Sequence, residues 1–139
     1  MSSPVRTNDL QIVKDATDPY ADEMLGFDAE DWLADDDNIA LTNEQRDVAL
    51  FAKQHIPHVA CGHYFFHSRG KTACIVAKQM LEEIFTGPYG VEIIVGLTPL
   101  DKRGALRMNE YLGFKSHGQV ETEAGPCEMV ILTKKEWNA

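Results

Sequence analysis

A short basic segment, Ser68-Arg-Gly-Lys-Thr-Ala-Cys74, separates an apolar run from a long amphipathic stretch. A pyrophosphate is held well by several backbone N–H groups that point into one concavity. The N-terminus of a helix supplies such groups together with a favourable dipole. Glycine lets a phosphate approach the backbone closely, and Gly70 is flanked by the positive charges of Arg69 and Lys71. The segment therefore predicts a site for a phosphate-bearing ligand, with an exposed basic helix start as the alternative.

Histidine is the second residue type that could do chemistry, because four of the five lie close together, at positions 55, 58, 63 and 67. With Cys61 they suggest metal ligands. On one face of a strand, however, His63 and His67 would stand about 13 Å apart, too far to bind one ion easily. The other cysteines, Cys74 and Cys127, complete no CxxC spacing. We therefore expect reduced thiols and no metal site.

The first half of the chain predicts short elements. The apolar run at 10–14 favours a strand, and residues 19–35 favour one or two short helices that break at Gly26. Residues 38–42 and 47–53 predict a hairpin, and 59–66 predict a central strand. The buried candidates of the helical segment are Met24, Leu25, Phe27, Trp32 and Leu33.

The second half has clearer periodicity. A continuous helical face runs through Ala73, Val76, Ala77, Met80, Leu81 and Ile84. The β-branched run at 91–97 predicts a buried strand, and a second helix containing Met108 ends at Gly113. Strands at about 115–122 and 128–133 flank a turn. The order β-α-α-β-β-β-α-β-α-β-β predicts one α/β domain over 1–139, with a mixed sheet and helices on both faces.

This order and two local sequences resemble the GNAT superfamily of N-acetyltransferases, well over about residues 58–137 and by element order alone before that. The segment from Ser68 to Cys74 is similar to the family's acetyl-CoA loop, Q/R-x-x-G-x-G/A. Aligning Arg69 with the first motif position puts Thr72 and Cys74 at the two small-residue positions. The resemblance implies that acetyl-CoA binds at Arg69, Gly70, Lys71, Thr72, Ala73 and Cys74.

The segment from Lys102 to Phe114 is similar to the family's second signature, N-x-x-A-x-x-x-Y-x-x-x-G-F. Ala105, Gly113 and Phe114 match it in register. Active members commonly carry a tyrosine four residues before the glycine, where its hydroxyl can protonate the departing coenzyme thiolate. Asn109 holds that position here, and an amide is no acid at neutral pH. Tyr111 lies two residues on, about 200° around the helix.

The resemblance also implies a place for the catalytic base, because in this fold the end of the central strand lies beside the reacting thioester. His67 lies at that end, and imidazole titrates near neutrality. It is therefore a candidate to remove the proton of an ammonium acceptor, with a structural histidine as the alternative. Glu110 and Glu44 are further candidates.

Two functions follow. The first is an acetyl-CoA-dependent N-acetyltransferase with altered catalytic motifs, acting on a cationic amine. The chain is also similar to small acetyltransferase-like proteins of tailed bacteriophages. That likeness implies the second function, a catalytically silent protein that acts in virion or head assembly, or as a protein-binding module, with virion proteins or further copies of itself as partners.

Charge is distributed unevenly. The net charge is −9, and residues 1–50 carry thirteen acidic against three basic side chains. This surplus would repel a nucleic-acid backbone and could attract a cationic acceptor or a basic protein, although a solvated surface is the simpler interpretation. The sequence shows neither a long apolar span nor a signal peptide, so we expect no membrane association and a cytoplasmic protein, in the host cytoplasm or the virion if phage-encoded.

Overall fold

A computed structural model describes residues 3–24 and 26–139, so the prediction for Leu25 lies outside the described residues. Within them, seven strands form one mixed sheet in the order β1-β2-β3-β4-β5-β7-β6. The strands are β1 (Val5–Arg6), β2 (Ile39–Thr42), β3 (Val48–Lys53), β4 (Val59–Phe65), β5 (Ile93–Pro99), β6 (Lys115–Thr122) and β7 (Gly125–Thr133). The helices are α1 (Leu10–Thr17), α2 (Ala29–Ala34), α3 (Gly70–Thr86), α4 (Arg103–Leu112) and α5 (Lys134–Trp137), with a 3-10 turn at Asp18–Tyr20.

The predicted strand at 10–14 is wrong, because these residues begin α1. The Asp9 side chain accepts hydrogen bonds from the N–H groups of Gln11 and Ile12, which caps the helix. Val13 and Ala16 lie three residues apart and are both buried. Burial of residues three apart is typical of a helix. The apolar run of five residues is too short to distinguish the helical period of 3.6 residues from the strand period of two.

Two hydrophobic clusters cover the two faces of the sheet. The larger one packs α3 against Leu41 and Phe51 and includes Leu112 of α4. The smaller one packs α1 and α2 against Ala40 and Leu50, whose side chains point to the opposite face because neighbours in a strand alternate. The predicted face of α3 is confirmed, since all six of its residues are buried, together with Phe85. Helices on both faces of a mixed sheet are confirmed as well.

In the carboxyl-terminal half the predicted strands and helix are present, but β5 begins and ends two residues later than predicted, and Ile94 is its only fully buried residue. Gly113 ends α4 in the left-handed conformation, with φ +96°, a geometry that favours glycine. The turn between β6 and β7 is tighter than predicted, because Thr122 pairs directly with Gly125. The short helix α5 was not predicted. Its signal is a capping box in which Thr133 and Glu136 each bind the other's backbone N–H.

One irregularity of the sheet positions the candidate site. Strands β4 and β5 are its parallel pair, and their pairing runs from Val59 and Ile93 to Cys61 and Val95. Strand β4 then continues to Phe65 and β5 to Pro99, where β5 pairs with β7 on its other side. Beyond Cys61 and Val95 the facing edges of the two strands are therefore not paired with each other, up to the end of β4 before α3. We call the space between these unpaired edges the gap.

Candidate functional site

The gap presents strand edges to a ligand. Beyond Cys61 and Val95, the pairing of β4 with β5 ends, while both strands stay extended. Backbone N–H and C=O groups at such an edge are strong hydrogen-bonding groups that need partners. An extended ligand chain that carries amides can add itself to an open strand edge in the same way as a peptide.

The N-terminus of α3 lies where β4 ends. Arg69 occupies the cap position with extended backbone, and among the described residues no side chain caps this end of the helix. The N–H groups of Gly70, Lys71 and Thr72 therefore have no intrahelical acceptor. Gly70 has φ +61°, and a Cβ built there would meet nothing within 4 Å. The glycine thus serves the backbone conformation, and the space in front of it is open.

The other predicted coenzyme residues play unequal parts. Arg69 folds back and donates to the carbonyl groups of Phe66 and Ser68, so its guanidinium braces the loop. Ala73 is buried in the core and donates its N–H to the Arg69 carbonyl. Cys74 is half-buried. Among the predicted coenzyme residues, the exposed ones at the start of the helix are therefore Gly70, Lys71 and Thr72, whose N–H groups have no intrahelical acceptor.

A buried carboxylate holds the loop before α3 in shape, and sequence reasoning missed it. Asp47 has no solvent exposure. Its carboxylate accepts hydrogen bonds from the backbone N–H groups of His67 at 2.7 Å and Ser68 at 3.0 Å. It also accepts from the Ser68 hydroxyl at 2.7 Å and from the Asn43 side-chain amide at 3.1 Å. Burial by itself would raise the pKa of Asp47, but the hydrogen bonds from Ser68, Asn43 and His67 outweigh it and lower the pKa.

Two histidines stand near the gap. The predicted base, His67, follows β4. The residue is exposed, and its backbone N–H donates to the Asp47 carboxylate. His63 lies inside β4, two residues beyond the last pair with β5, on the α1 side of the sheet. Its Nε2 is 3.6 Å from the Cys61 Sγ. Sequence reasoning considered His63 only as a metal ligand.

The surroundings of His63 and Cys61 favour their neutral forms. Desolvation lowers the pKa of His63 and raises the pKa of Cys61. The His63 ring nevertheless keeps solvent access. A neutral, accessible imidazole can accept a proton at pH 7, whereas a thiol of raised pKa is a poor nucleophile.

The two candidate residues predicted on α4, Asn109 and Tyr111, lie in different surroundings. Asn109 faces β5 and donates from Nδ2 to the Thr98 Oγ1 at 2.8 Å. Tyr111 is 56% exposed, and the Lys78 ammonium lies 4.6 Å from its ring centroid. Tyr111 lines a hollow of about 550 Å³ beside Trp137, at the far end of α4 from the gap. Tyr111 is therefore not brought to the gap, in agreement with its angular offset from Asn109.

Another tyrosine lies beside the gap. Tyr64 of β4 packs against the α3 cluster, and its hydroxyl is buried without a hydrogen-bond partner among the described residues. A Cβ built at Gly62 would come within 2.9 Å of that hydroxyl and within 3.2 Å of the Ile94 Cγ2. Burial raises the pKa of Tyr64, with a smaller contribution from Cys61.

Residues 18–23, which follow α1 and carry three carboxylates, border the open end of the gap, which we call its mouth. The ring of Tyr20 contacts Phe65, the last residue of β4, with centroids 5.4 Å apart. Glu23 accepts from the Lys102 ammonium at 3.0 Å, which joins the segment after α1 to the loop after β5. Both partners are about half exposed. A carboxylate is therefore held at the mouth by an ion pair that solvent and ligands can reach.

Among residues 3–24 and 26–139, no three His, Cys, Asp or Glu side chains come together in a way that could hold a metal ion. In the same residues, no helix is both long and apolar enough to cross a membrane.

Comparisons with known proteins rest on structure alone. No family model and no curated protein sequence matches the chain. The fold is similar to a chimera of the spermidine N-acetyltransferase SpeG from Vibrio cholerae and hSSAT, with a TM-score of 0.80 and 12% identity over 99% of this chain and 100% of that one. A SpeG mutant from Vibrio cholerae gives 0.77 and 11% identity over 98% and 97% of the two chains.

An aminoglycoside acetyltransferase, AAC(6')-Ib in complex with coenzyme A, is also similar, with a TM-score of 0.70 and 17% identity over 98% of this chain and 96% of that one. The chain therefore has the fold of the GNAT acetyltransferases, as predicted. The solved structures named above give no support to a bacteriophage origin.

Proposed function

We propose that the protein is an acetyl-CoA-dependent N-acetyltransferase that acts on an amine. The observation that carries this proposal is the gap between β4 and β5, which leads to an uncapped helix N-terminus at Gly70. Strand edges suit the amide chain of the coenzyme, and the amides of Gly70, Lys71 and Thr72 suit its pyrophosphate. The solved structures of the same fold include one that contains coenzyme A.

The acceptor is proposed to be a cationic amine. The similar structures include spermidine and aminoglycoside acetyltransferases, and both names describe amine substrates. Here the mouth of the gap carries Glu23, and the segment from Asp18 to Glu23 holds two further carboxylates. An ammonium group could replace Lys102 as the partner of Glu23, because the existing pair is exposed and weak.

The proposed reaction needs one base. An ammonium acceptor must lose a proton before its nitrogen attacks the thioester carbonyl, where a C–N bond forms and the C–S bond breaks. The acetyl-CoA supplies the acyl group and the thiolate leaving group. His67 and His63 both stand on the β4 side of the gap. His63 lies deeper in the gap, within β4, and its lowered pKa keeps it neutral at pH 7, whereas His67 follows the end of the strand.

Single substitutions separate these two bases. His63→Ala should lower the rate of acetyl transfer by about 10²–10⁴-fold if it is the base, and His67→Ala should then have a small effect. The reverse result would assign the base to His67. His55→Ala removes another exposed histidine, in the loop after β3, and serves as the matched control.

Binding decides the proposed function itself. Acetyl-CoA should raise the melting temperature of the wild-type protein by mass action, and calorimetry should give a dissociation constant. ADP, which carries only the pyrophosphate end, should bind more weakly at the same site. If a folded sample binds neither compound at millimolar concentration, the proposed function is wrong.

A binding protein without catalysis is the second candidate, and Asn109 is the observation that favours it. The amide is engaged with Thr98, and it cannot donate a proton to a thiolate at neutral pH. Tight acetyl-CoA binding with no release of free thiol, across a panel of polyamines and aminoglycosides, would select this second function.

A further inference from the structure

Helices pack on both faces of the sheet, but on the α1 side their cover ends at β4. The cluster on that side joins α1 and α2 to residues of β2, β3 and β4. Strands β5, β7 and β6 follow side by side beyond the gap. In the part of the chain that the structure describes, this cluster includes no residue of these three strands, so it brings no helix onto their α1-side face.

The uncovered face of β5 and β7 is apolar. Ile94 of β5 and Val130 of β7 belong to the α3 cluster, and because neighbours in a strand alternate, the adjacent side chains project to the α1 side. The apolar side chains there are Ile93, Val95 and Leu97 of β5 and Met129 and Ile131 of β7. None of these five is buried, and Leu97 is 44% exposed.

These five side chains form one continuous surface, which we call the apolar patch. Leu97 is paired directly with Met129, and Val95 with Ile131, and directly paired residues project to the same face. Both strands are described in full, and neither places a charged side chain on this face.

The apolar patch reaches the gap opposite the deeper histidine. Cys61 and Val95 are the last pair of β4 with β5, so His63 and Leu97 each stand two residues further on, at facing edges of the gap. Both project to the α1 side. His63 and the edge of the apolar patch therefore share one face of the sheet.

The carboxylates at the mouth lie on the same side. Phe65 belongs to the α1-side cluster and contacts the ring of Tyr20, and Glu23 bonds Lys102 just beyond the end of β5. A ligand on this side thus meets carboxylates at the mouth and apolar surface on β5 and β7. One ammonium group suits the first. A second ammonium group on the apolar patch would lose hydration without gaining a partner.

Charge argues against a second copy of the chain as the cover of the apolar patch. Residues 1–50 carry thirteen acidic against three basic side chains, and three of the carboxylates stand in the segment at the mouth. A two-fold contact over this face would bring two such segments together, and like charges repel. A cationic ligand has the complementary charge.

We propose that the acceptor is an amphiphilic amine, with one ammonium group at the mouth and an aliphatic or aromatic body on the apolar patch. This inference rests on the proposed function and narrows its acceptor. The nitrogen loses two protons as the C–N bond forms and the C–S bond breaks; one ends on the coenzyme thiol and the other in solvent. The apolar body forms no bond and determines which amine binds.

Two amines of equal length test the inference. Hexylamine has an apolar body, whereas diglycolamine has an ether oxygen in place of one methylene and a hydroxyl in place of the methyl. Both are cations at pH 7. Because each apolar group removed from water adds to the affinity, hexylamine should bind roughly tenfold more tightly.

Methyl-labelled methionine shows where the amine binds, independently of catalysis. Hexylamine should shift the methyl signal of Met129, and Met129→Gln assigns that signal by removing it. The signal of Met80 should stay in place, because Met80 is fully buried in the α3 cluster.

Leu97→Asn tests the apolar patch itself, since it keeps the side chain's size and makes an exposed position polar. The preference for hexylamine, measured as the ratio of the two dissociation constants, should fall from roughly tenfold towards one. Ile56→Asn is the matched control. Ile56 is 66% exposed in the loop after β3, and its replacement should leave the ratio unchanged.

The outcomes separate this inference from the proposed function. If the two amines bind equally, or if hexylamine leaves the Met129 signal in place, the inference is wrong even where acetyl-CoA binds. A wild-type multimer in sedimentation that Leu97→Asn dissociates would show that a second copy covers the apolar patch, which also overturns it. If hexylamine shifts the Met129 signal but acetyl-CoA does not bind, the proposed function fails and the amine site stands.

Discussion

Replacing Asp47 by asparagine tests whether this buried carboxylate shapes the coenzyme loop. The substitution keeps the size of the side chain and one carbonyl oxygen, which can still accept the N–H groups of His67 and Ser68. It replaces the second oxygen by an NH₂ group. The Asn43 NH₂ group donates to that oxygen at 3.1 Å in the native protein. In the variant it would face the new NH₂ group, so two donors would be opposed.

The magnitude follows from the four bonds that Asp47 accepts. A hydrogen bond to a charged group contributes about 1.5–3 kcal/mol, and an unpaired buried group costs about 1–3 kcal/mol. Asp47→Asn removes the oxygen that accepts from both the Ser68 hydroxyl and the Asn43 amide. The hydroxyl can turn to accept from the new NH₂ group, whereas the Asn43 bond is lost and the backbone bonds lose their charge assistance, so we expect a loss of about 2–3 kcal/mol of unfolding free energy. Asp47→Ala orphans the two backbone amides as well, and should cost about 3–5 kcal/mol.

Denaturant unfolding and acetyl-CoA titration measure the two consequences separately. Because the amides of His67 and Ser68 fix the loop that leads into α3, Asp47→Asn should also weaken acetyl-CoA binding by roughly tenfold through loss of preorganisation. Asp36 is an exposed carboxylate among the same acidic first 50 residues. Asp36→Asn is therefore the control and should change neither the unfolding free energy nor the acetyl-CoA affinity.

Reciprocal exchange makes the test sharper. In Asn43→Asp combined with Asp47→Asn, the carboxylate and the amide trade places and the donor–donor contact is removed. The double variant should recover part of the stability lost by Asp47→Asn, a coupling that a double-mutant cycle quantifies. The reasoning is refuted if Asp47→Asn unfolds at the wild-type denaturant concentration and binds acetyl-CoA with unchanged affinity.

Four further predictions concern the same site. The pKa of Asp47 is lower in the folded state than the unfolded value of about 3.9, so its stabilisation is present above about pH 4 and is lost as the pH falls through the folded pKa; Asp47→Asn should flatten this acid limb in a pH series of melts. Gly70→Ala should cost about 1–2 kcal/mol through its φ of +61° and abolish the melting shift with acetyl-CoA, and an undiminished shift would contradict the loop assignment. Asn109→Tyr should raise a slow acetyl transfer, measured as thiol release, whereas a wild-type turnover on the order of 10 s⁻¹ would show that the site needs no such acid. Glu23→Gln should raise the KM for a polyamine and leave acetyl-CoA affinity unchanged, and equal KM values at low and physiological salt would argue against an ionic contact.

The elements with sustained periodicity were predictable from the sequence. Helix α3 repeats its apolar spacing from Ala73 to Ile84, over about three turns. Strand β5 is a β-branched run between turn residues, so one interpretation of the pattern dominates in each element. The segment at 10–14 was too short for that. Its helix depends on the Asp9 cap and on burial of Ala16 against the second face of the sheet, which are decided partly by tertiary contacts.

The site divides in the same way. The proposed anion-binding end lies within a few consecutive residues around Gly70, and it could be proposed from the sequence because helix capping is local. The contact between Asp47 and Ser68 joins residues 21 positions apart in the sequence. The position of Tyr64 beside the gap follows only from where the β4–β5 pairing ends. His63 carried a signal, since alternation along β4 places it on the face opposite Tyr64, but that signal needs the strand bounds to be useful.

The start of α3 bears on the choice between the two proposed functions. Among the described residues, no side chain caps the N–H groups of Gly70, Lys71 and Thr72, and all three residues are exposed. A capping Ser, Thr, Asp or Asn at position 69 would stabilise the helix if the chain only had to fold, and such stabilising replacements are easy to find. Arg69 stands there instead, and its guanidinium donates to the carbonyl groups of Phe66 and Ser68. An uncapped helix start at the open end of the gap therefore favours our proposal that acetyl-CoA binds there over retention of the fold alone.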